Sequence, residues 1–434
     1  MKVGDVTNRN YARALDERDP LGEFPALFFV ADADVRYLDG NSLGRLPLAT
    51  KKSVESFVTD EWGSELVEGW SHWIDEAERA GDLLARTALG AGPGQTLVCD
   101  TTSVNLYQLL RAVVTSRPGK STMLVDSANF PTDRYIAQGI ADQMGKTIIT
   151  LDVDGSGGPG AVPVQAIHDR LTAELLEPHL TDDVAVITLQ ALNYRSGARA
   201  EIAAINELAR RRNIPVVWDC SHAVGSISLD FDANGIDLAV GCTYKYLNSG
   251  PGSPAWLFVR ESLQQQLQVP IQGWFAQADQ FTMGPMFDRD KSIRGFQIAS
   301  PSIIGIRAVQ SSLHMVERAT IEKIEAKAAM GTAMMVELFD AWLAPLGFEL
   351  LTPREPSWRG GHVTLGHPEA KQIAVALRVI SKVIPDYREP DSIRVAISPL
   401  ANSFTEVWEG FDRLRALVES REYRSVATDG SRVT

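Results

Sequence analysis

Between residues 96 and 259, short apolar runs alternate with longer amphipathic stretches. The apolar runs are mostly rich in β-branched side chains and lack polar alternation, which is typical of strands buried on both faces. Seven such runs occur, at 96–99, 122–125, 147–151, 184–189, 215–218, 236–241 and 255–259. Helix-like segments lie between them, at 103–114, 132–144, 164–175 and 201–212. The pattern predicts an α/β domain with a mostly parallel, seven-stranded sheet flanked by helices, whose last strand could add in the antiparallel sense.

The pattern changes after residue 305. A proline-free helical stretch covers 306–344 and is followed by strand candidates at 347–351, 362–365 and 393–396 and helices at 370–379 and 405–421. This mixture predicts a smaller C-terminal α+β domain. We expect four parts: an N-terminal segment (1–60) packed on the small domain, a large α/β domain (61–305), the small domain (306–420) and a frayed tail (421–434).

Composition narrows the class of protein. The chain has 434 residues, of which 44% are hydrophobic and 22% charged, as in ordinary globular proteins. A net charge of −13 argues against a nucleic-acid partner, since phosphate backbones bind clustered Lys and Arg. No apolar run approaches the roughly 20 residues that span a bilayer, and the N-terminus lacks an apolar signal core. Three cysteines without CxxC spacing give neither a disulfide framework nor a metal site. We expect a cytoplasmic protein that uses no membrane and no metal.

A glycine-rich loop at 155–160 fits the G-x-G-x-x-G pattern of dinucleotide-binding proteins. That pattern works by presenting backbone N–H groups at a helix start to a pyrophosphate. Here Asp152 and Asp154 would repel phosphates, Pro159 removes one donor, and Pro163 delays the helix. The sequence therefore favours a surface connection at this loop.

Lys245 and Asp219 each follow an apolar run, at the end where open α/β sheets place ligands. Taken alone, Lys245 would usually be a surface lysine and Asp219 a helix cap or turn residue. However, an aspartate that ends a buried strand needs a cationic or hydrogen-bonding partner, and a protonated pyridine nitrogen is one. The two residues are 26 positions apart, which allows neighbouring strand ends to face one cofactor.

A third element lies at 100–105, where the chain leaves a strand and enters a helix. Thr102 and Ser103 place hydroxyl groups at the helix N-terminus, which is an anion site or a simple N-cap. His222 is expected to make hydrogen bonds rather than to bind a metal, because Asp219-x-x-His222 lacks further ligands. A phosphate site, a strand-end aspartate and a strand-end lysine together point to pyridoxal 5'-phosphate (PLP).

Eight segments in order resemble the kynureninases, which are PLP-dependent enzymes of fold type I, over nearly the whole chain. They are YLDGNSLGRLP (37–47), DTTSVN (100–105), NFPTDRY (129–135), WDCSHAVG (218–225), TYKYLNSGPG (243–252), GWF (273–275), RGGHVTL (359–365) and DSIRVAISPLANSF (391–404). Taken alone, the GNSLG segment or the Tyr-Lys pair is only weak evidence for the family. The GWF segment, with Trp274 placed 29 residues after Lys245, looks family-specific.

The resemblance implies roles for individual residues at the cofactor. Lys245 would hold PLP covalently and then act as general base at the substrate Cα, and Asp219 would keep the pyridine nitrogen protonated. The other implied cofactor contacts are Phe130 on the ring face, Asp133 near the ring, His222 beside the 3-oxygen, Thr102, Ser103 and Tyr244 at the phosphate, Trp274 reaching the phosphate from its own or a neighbouring subunit, and Ser300 at the phosphate or a ring substituent. Without the resemblance, Phe130 and Trp274 could be ordinary core aromatics.

The same resemblance implies a site for an amino-acid substrate. Arg394 would bind the α-carboxylate, a planar bidentate task that suits arginine, although an ordinary ion pair is the alternative. Asn41 and Ser42 would line the same end, and Trp70 would wall the aromatic end or belong to the core. A homodimer with a shared active site is also implied.

The implied reaction is the hydrolytic cleavage of the Cβ–Cγ bond of L-kynurenine to anthranilate and L-alanine, with Tyr244 as a proton relay. Segment 297–301 lacks the Ser-Asn pair of the animal enzymes that favour 3-hydroxykynurenine, and Trp70 resembles the bacterial arrangement. We expect kynurenine to be preferred, with 3-hydroxy (to 3-hydroxyanthranilate) or other ring-substituted forms also accepted. Tryptophan catabolism, NAD biosynthesis and secondary metabolism would all use this chemistry.

Two other fold-type-I activities compete with this interpretation. A cysteine desulfurase needs an exposed thiolate on a mobile loop, whereas Cys99 and Cys242 lie at buried strands and Cys220 at the predicted cofactor wall. An aminotransferase shares the early chemistry and stays open. A non-catalytic binding protein would most simply lack Lys245 or Arg394, and both are present.

Overall fold

The computed structural model describes residues 5–427. Its strands are β1 (Arg36–Tyr37), β2 (Thr96–Val98), β3 (Thr122–Asp126), β4 (Thr147–Asp152), β5 (Ala161–Pro163), β6 (Val184–Gln190), β7 (Val216–Asp219), β8 (Leu238–Gly241), β9 (Trp256–Val259), β10 (Glu349–Leu350), β11 (His362–Gly366), β12 (Val383–Ile384), β13 (Asp386–Arg388) and β14 (Ser392–Ala396). Its α-helices are α1 (Arg9–Asp16), α2 (Leu48–Ser56), α3 (Gly63–Glu65), α4 (Trp70–Trp73), α5 (Glu76–Leu84), α6 (Thr102–Ser116), α7 (Pro131–Met144), α8 (Ala173–Leu176), α9 (Ile202–Arg211), α10 (Glu261–Gln264), α11 (Ile303–Ala319), α12 (Ile321–Leu338), α13 (Ala370–Val379) and α14 (Phe404–Ser420).

The large sheet has eight strands in the order β2-β9-β8-β7-β6-β3-β4-β5. Strands β3 to β8 run parallel, and β9 is antiparallel to both β8 and β2, so the antiparallel addition suggested for 255–259 is confirmed. The predicted number of seven strands was wrong because β5 pairs at the edge of the sheet beside β4. This strand has three residues and ends in Pro163, so no apolar run marks it, and proline is tolerated at an edge.

Two helix predictions also need correction. The predicted helix at 164–175 is reduced to α8, since His168 and Asp169 adopt positive φ angles that stop a helix, and Thr172 caps the short segment that follows. The long helix predicted at 306–344 is divided into α11 and α12 at Thr320, whose φ is 67°. No glycine or proline marks that break, and the hydrophobic periodicity continues across it, so the sequence pattern did not reveal it.

The second sheet has the order β10-β11-β14-β13 and is antiparallel throughout. Its core includes residues of α12, α13 and α14, and Ala12 of α1 joins it. Farther along the N-terminal segment, Phe24 and Phe28 join the core of the large sheet instead. The N-terminal segment therefore touches both cores, and the domain limits stay a prediction. In the predicted tail, Tyr423 is buried and donates to Glu369, while residues 428–434 lie outside the described part.

None of the helices within residues 5–427 combines the length and the apolar composition that a bilayer crossing requires.

One buried ion pair connects the N-terminal segment to α12. Lys327 Nζ lies 2.7 Å from Asp19 Oδ2, and both side chains are 1% exposed. Burial lowers the pKa of Lys327, and the Asp19 carboxylate opposes that effect. Because removing one member of a buried pair leaves the other charge without compensation, the pair should hold the N-terminal segment in place.

We expect Asp19→Ala to destabilise the protein by about 3 kcal/mol, measured as a fall in the thermal unfolding midpoint. The matched control is Asp340→Ala, which breaks the exposed pair of Asp340 with Arg354 and should cost at most about 1 kcal/mol. Equal effects of the two substitutions would contradict this account.

Candidate active site

The C-terminal ends of β7 and β8 lie side by side, since these strands are parallel neighbours with Asp219 opposite Val240. Asp219 is the last residue of β7, and Lys245 follows β8 in the loop 243–248. The 26-residue spacing therefore does bring both residues to one edge of the sheet, as the sequence predicted. This is the edge where ligands of open α/β sheets bind.

The Lys245 amine contacts an imidazole. Its Nζ lies 3.2 Å from both ring nitrogens of His222 and 5.9 Å from the centre of the Phe130 ring. Burial lowers the pKa of Lys245, although Cys242 and Asp219 oppose the shift. Burial and the nearby Lys245 and Arg394 charges hold the pKa of His222 well below its usual value. The imidazole is therefore neutral at pH 7 and can accept a hydrogen bond from the amine.

Two buried carboxyl groups, those of Asp219 and Asp133, interact electrostatically with the Lys245 amine. Asp219 Oδ1 accepts a hydrogen bond from Ser221 N at 2.8 Å. Burial and the charge of Asp219 raise the pKa of Asp133 well above its usual value, which favours the protonated form of this carboxyl group. Its Oδ2 is buried and has no hydrogen-bond partner among residues 5–427. An unpaired buried carboxyl oxygen is costly unless a further group completes it.

The predicted phosphate end lies at the start of α6. Thr101 caps this helix by accepting from Val104 N at 3.3 Å, and the first turn of the helix has no acidic residue. Thr102 is half-buried and Ser103 is exposed, so both hydroxyls border open space. Cys242 and burial raise the pKa of the Tyr244 hydroxyl, which therefore stays protonated as a donor. An open helix N-terminus with added hydroxyl donors is suited to a phosphate group.

Arg394 is fully buried and is held by acceptors from four parts of the chain. Its Nη2 lies 2.6 Å from Asp386 Oδ2 and donates to Ser42 Oγ at 2.9 Å. Its Nη1 donates to the Tyr194 carbonyl and lies 3.4 Å from His222 Nε2. With its amide oxygen turned to the guanidinium, Asn41 accepts from Nε at 2.6 Å and from Nη2 at 3.1 Å.

Three predicted site residues lie elsewhere. Trp70 packs against Phe275, with ring centres 6.0 Å apart. Trp274 is 47% exposed and donates through Nε1 to the Gln280 carbonyl, and Ser300 is exposed. Within the described part of the chain, no hydrogen bond or ring contact joins Trp70, Trp274 or Ser300 to Lys245 or Arg394. Within one chain, these three residues therefore do not contact Lys245 or Arg394.

Three neighbours of this cluster were not predicted individually from the sequence. The Tyr194 ring meets Phe130 edge-on at 5.3 Å, and the His362 ring lies 5.9 Å from His222. Asp386 faces Arg394 across the β13–β14 pair. Tyr194 follows the end of β6, so the rule that located Lys245 and Asp219 could also have located it.

These residues fit PLP. PLP carries an aldehyde, a ring nitrogen and a phosphate. The Lys245 amine would react with the aldehyde, the Asp219 carboxylate would pair with the ring nitrogen, and the start of α6 would bind the phosphate. The Phe130 ring would lie against the cofactor ring, and the unpaired Asp133 oxygen would bond to one of its polar groups.

The GNSLG segment packs directly on the lysine loop. Gly44 N donates to the Tyr244 carbonyl at 2.7 Å. A Cβ at Gly44 would lie 2.5 Å from Lys245 O and 2.6 Å from Asn248 Cα, which is closer than atoms tolerate. Glycine is therefore required at this position, because a larger residue would push the lysine loop away.

We expect Gly44→Ala to destabilise the protein by about 1–3 kcal/mol and to weaken cofactor binding, as measured by thermal unfolding and cofactor titration. The control is Gly139→Ala in α7, where a Cβ meets nothing within 4 Å. That change should be neutral or slightly stabilising, because alanine favours helix. A neutral Gly44→Ala would contradict the close packing.

Comparison with known proteins supports the family resemblance found in the sequence. Residues 324–414 match the family model for the kynureninase C-terminal domain. The chain is 34% identical over 426 residues to a kynureninase of Pseudomonas fluorescens, which covers 96% of this chain and 97% of the relative. It is 33% identical over 416 residues to a kynureninase of Deinococcus radiodurans, covering 94% of this chain and 96% of the relative.

Solved structures with this fold are more distant in sequence. A cysteine desulfurase of Escherichia coli superimposes with a TM-score of 0.75 at 15% identity, over 94% of this chain and 99% of that one. The protein C-DES, solved with glycine covalently linked to its PLP cofactor, gives 0.74 at 17% identity, over 92% and 97%.

The fold is that of the PLP-dependent enzymes of fold type I, as the sequence predicted. Within that class the full-length identity to the bacterial relatives is decisive, and the chain belongs to the kynureninase family.

Proposed function

We propose that this protein hydrolyses the Cβ–Cγ bond of L-kynurenine, with PLP as cofactor, to give anthranilate and L-alanine. The proposal rests on membership of the kynureninase family. The observation that carries it is the juxtaposition of Lys245, Asp219 and Arg394, which are the residues that the reaction needs for the cofactor and for the substrate carboxylate.

Cofactor binding is assigned to the edge of the large sheet. Lys245 would attach to the PLP aldehyde, and Asp219 would accept a hydrogen bond from the protonated ring nitrogen. The other residues proposed to contact PLP are Phe130 against its ring, Asp133 and His222 near its polar substituents, and Thr102, Ser103 and Tyr244 at its phosphate. When bound, PLP supplies an electron sink for charge that develops at the substrate Cα.

Proton transfer is assigned to Lys245 and Tyr244. Burial lowers the pKa of Lys245, so a larger fraction of its amine is neutral and able to take the Cα proton. The raised pKa of Tyr244 keeps its hydroxyl protonated, so it can deliver a proton in the later steps. The neutral His222 ring accepts from the Lys245 amine and orients it without adding a positive charge.

Substrate binding is assigned to Arg394, with Asn41 and Ser42 at its side. For the aromatic end we propose Trp70 and Ser300. Kynurenine is proposed as the preferred substrate over its 3-hydroxy form, because 297–301 lacks the Ser-Asn pair. A cytoplasmic location is also proposed, since Cys99, Cys220 and Cys242 are all free thiols, which suits a reducing compartment.

We further propose a homodimer in which Trp274 reaches the phosphate of the neighbouring subunit. Supporting this, Trp274 is 47% exposed and its ring contacts the exposed Phe281 ring, with the ring centres 6.2 Å apart. Met283 and Met286, which follow closely in the chain, are also exposed, and a second copy would cover such apolar side chains.

Purified protein loaded with PLP should release anthranilate and L-alanine in equal amounts from L-kynurenine, followed by anthranilate fluorescence and an alanine assay. Lys245→Ala should abolish turnover, because it removes the base, and should also remove the visible absorbance of lysine-bound PLP. Formation of a keto acid in place of alanine would instead support an aminotransferase, and the absence of anthranilate would refute the proposal.

The dimer proposal predicts complementation between two inactive variants. Lys245→Ala and Trp274→Ala homodimers should each have low activity, but co-expressed subunits should recover up to about a quarter of wild-type activity, since mixed dimers contain one site with both residues intact. Activity no higher than the sum of the separate variants, or a fully active Trp274→Ala, would contradict a shared site.

A further inference from the structure

Each of the three guanidinium nitrogens of Arg394 has at least one acceptor within hydrogen-bond distance. Its Nε donates to Asn41, its Nη1 faces the Tyr194 carbonyl and His222, and its Nη2 faces Asp386 and Ser42. A substrate carboxylate that binds this guanidinium must therefore replace one or more of these acceptors. The question is which of them can give way.

The acceptors differ in charge. Ser42, Asn41 and His222 offer neutral atoms, and Asn41 and Ser42 belong to the GNSLG segment. Asp386 is an acidic residue whose Oδ2 lies 2.6 Å from Arg394 Nη2, and both side chains are fully buried. Because hydrogen bonds to ionised groups are roughly twice as strong as neutral ones, an incoming carboxylate would displace the neutral acceptors before Asp386.

Asp386 is also held in place from the other side. The same Oδ2 accepts from Arg388 Nε at 2.8 Å, and the Arg388 guanidinium lies over the Tyr194 ring at 5.8 Å. The strand register places Asp386 directly opposite Arg394 in the β13–β14 pair. Within residues 5–427, Asp386 is the one carboxylate that forms an ion pair with Arg394. Asp39 is buried nearby and acts on Arg394 only through its charge.

We propose that Asp386 is the positioning residue for the substrate carboxylate: it fixes the charged Arg394 guanidinium from behind, while Asn41 and Ser42 occupy the places that the carboxylate takes on binding. This inference rests on the proposed function. Because Asp386 would act through the Arg394 guanidinium, its loss should affect recognition of the carboxylate rather than the chemistry at Cα.

The test compares L-kynurenine with kynuramine, which is kynurenine without its carboxyl group, in the PLP-loaded Asp386→Asn variant. We expect the KM for L-kynurenine to rise about tenfold, or about 1.4 kcal/mol, while kcat changes less than about threefold. The inhibition constant of kynuramine should stay within about twofold, because it has no carboxylate to lose. An unchanged KM, or equal losses for both ligands, would overturn the proposal.

Two further variants keep the test decisive. Asp386→Glu retains the charge on a longer side chain, so its KM should rise by about threefold with kynuramine inhibition unchanged. If Asp386→Asn does not fold, this variant decides alone, and a wild-type KM or a parallel loss for kynuramine refutes the inference. Asp340→Asn, at an exposed Asp–Arg pair, is the matched control and should behave as wild type.

The wild-type assay separates the two proposals. No anthranilate from the wild-type protein would refute the proposed function itself. Turnover by the wild type together with unaltered kinetics of Asp386→Asn would refute only the role of Asp386.

Discussion

The site depends on keeping an amine, two guanidinium groups, two imidazoles and several carboxyl groups together, partly or fully buried, at one edge of the large sheet. Isolated, each ionised group would be costly to remove from water. Here Arg394 and Arg388 share Asp386, and His222 is neutral beside Lys245. Burial and the charge of Asp219 raise the pKa of Asp133, which favours its protonated form. The ion pairs and the neutral His222 ring therefore offset part of the free-energy cost of burying these groups. Burial also lowers the pKa of Lys245.

Different parts of the chain supply this cluster, which explains why the whole fold is needed. The large sheet contributes Asp219 and Lys245, and the small sheet contributes Arg394 and Asp386. The N-terminal segment contributes Asn41 and Ser42, and it is fixed against the lysine loop by Gly44. Under the proposed function, a site that joins three regions would hold the cofactor and the substrate carboxylate at once, with each group positioned by packing far from the reacting atoms.

Much of this could be predicted from the sequence because buried parallel strands leave apolar runs, and the residues just after them face one edge. That rule located Asp219, Lys245 and the start of α6. It failed for β5, which is a short edge strand, and for Thr320, where a backbone turn interrupts a continuous apolar pattern. Asp386 could not be predicted, because its position opposite Arg394 depends on the register of an antiparallel pair that periodicity does not fix.

The central claim is that Lys245 is the amine that holds the cofactor. The direct measurement is to reduce the PLP-loaded protein with sodium borohydride, digest it and locate the pyridoxyl group by peptide mass spectrometry. The account predicts the modification on the peptide that contains Lys245 and on no other lysine. A pyridoxyl group on a different lysine, or none on any peptide of a catalytically active sample, would contradict it.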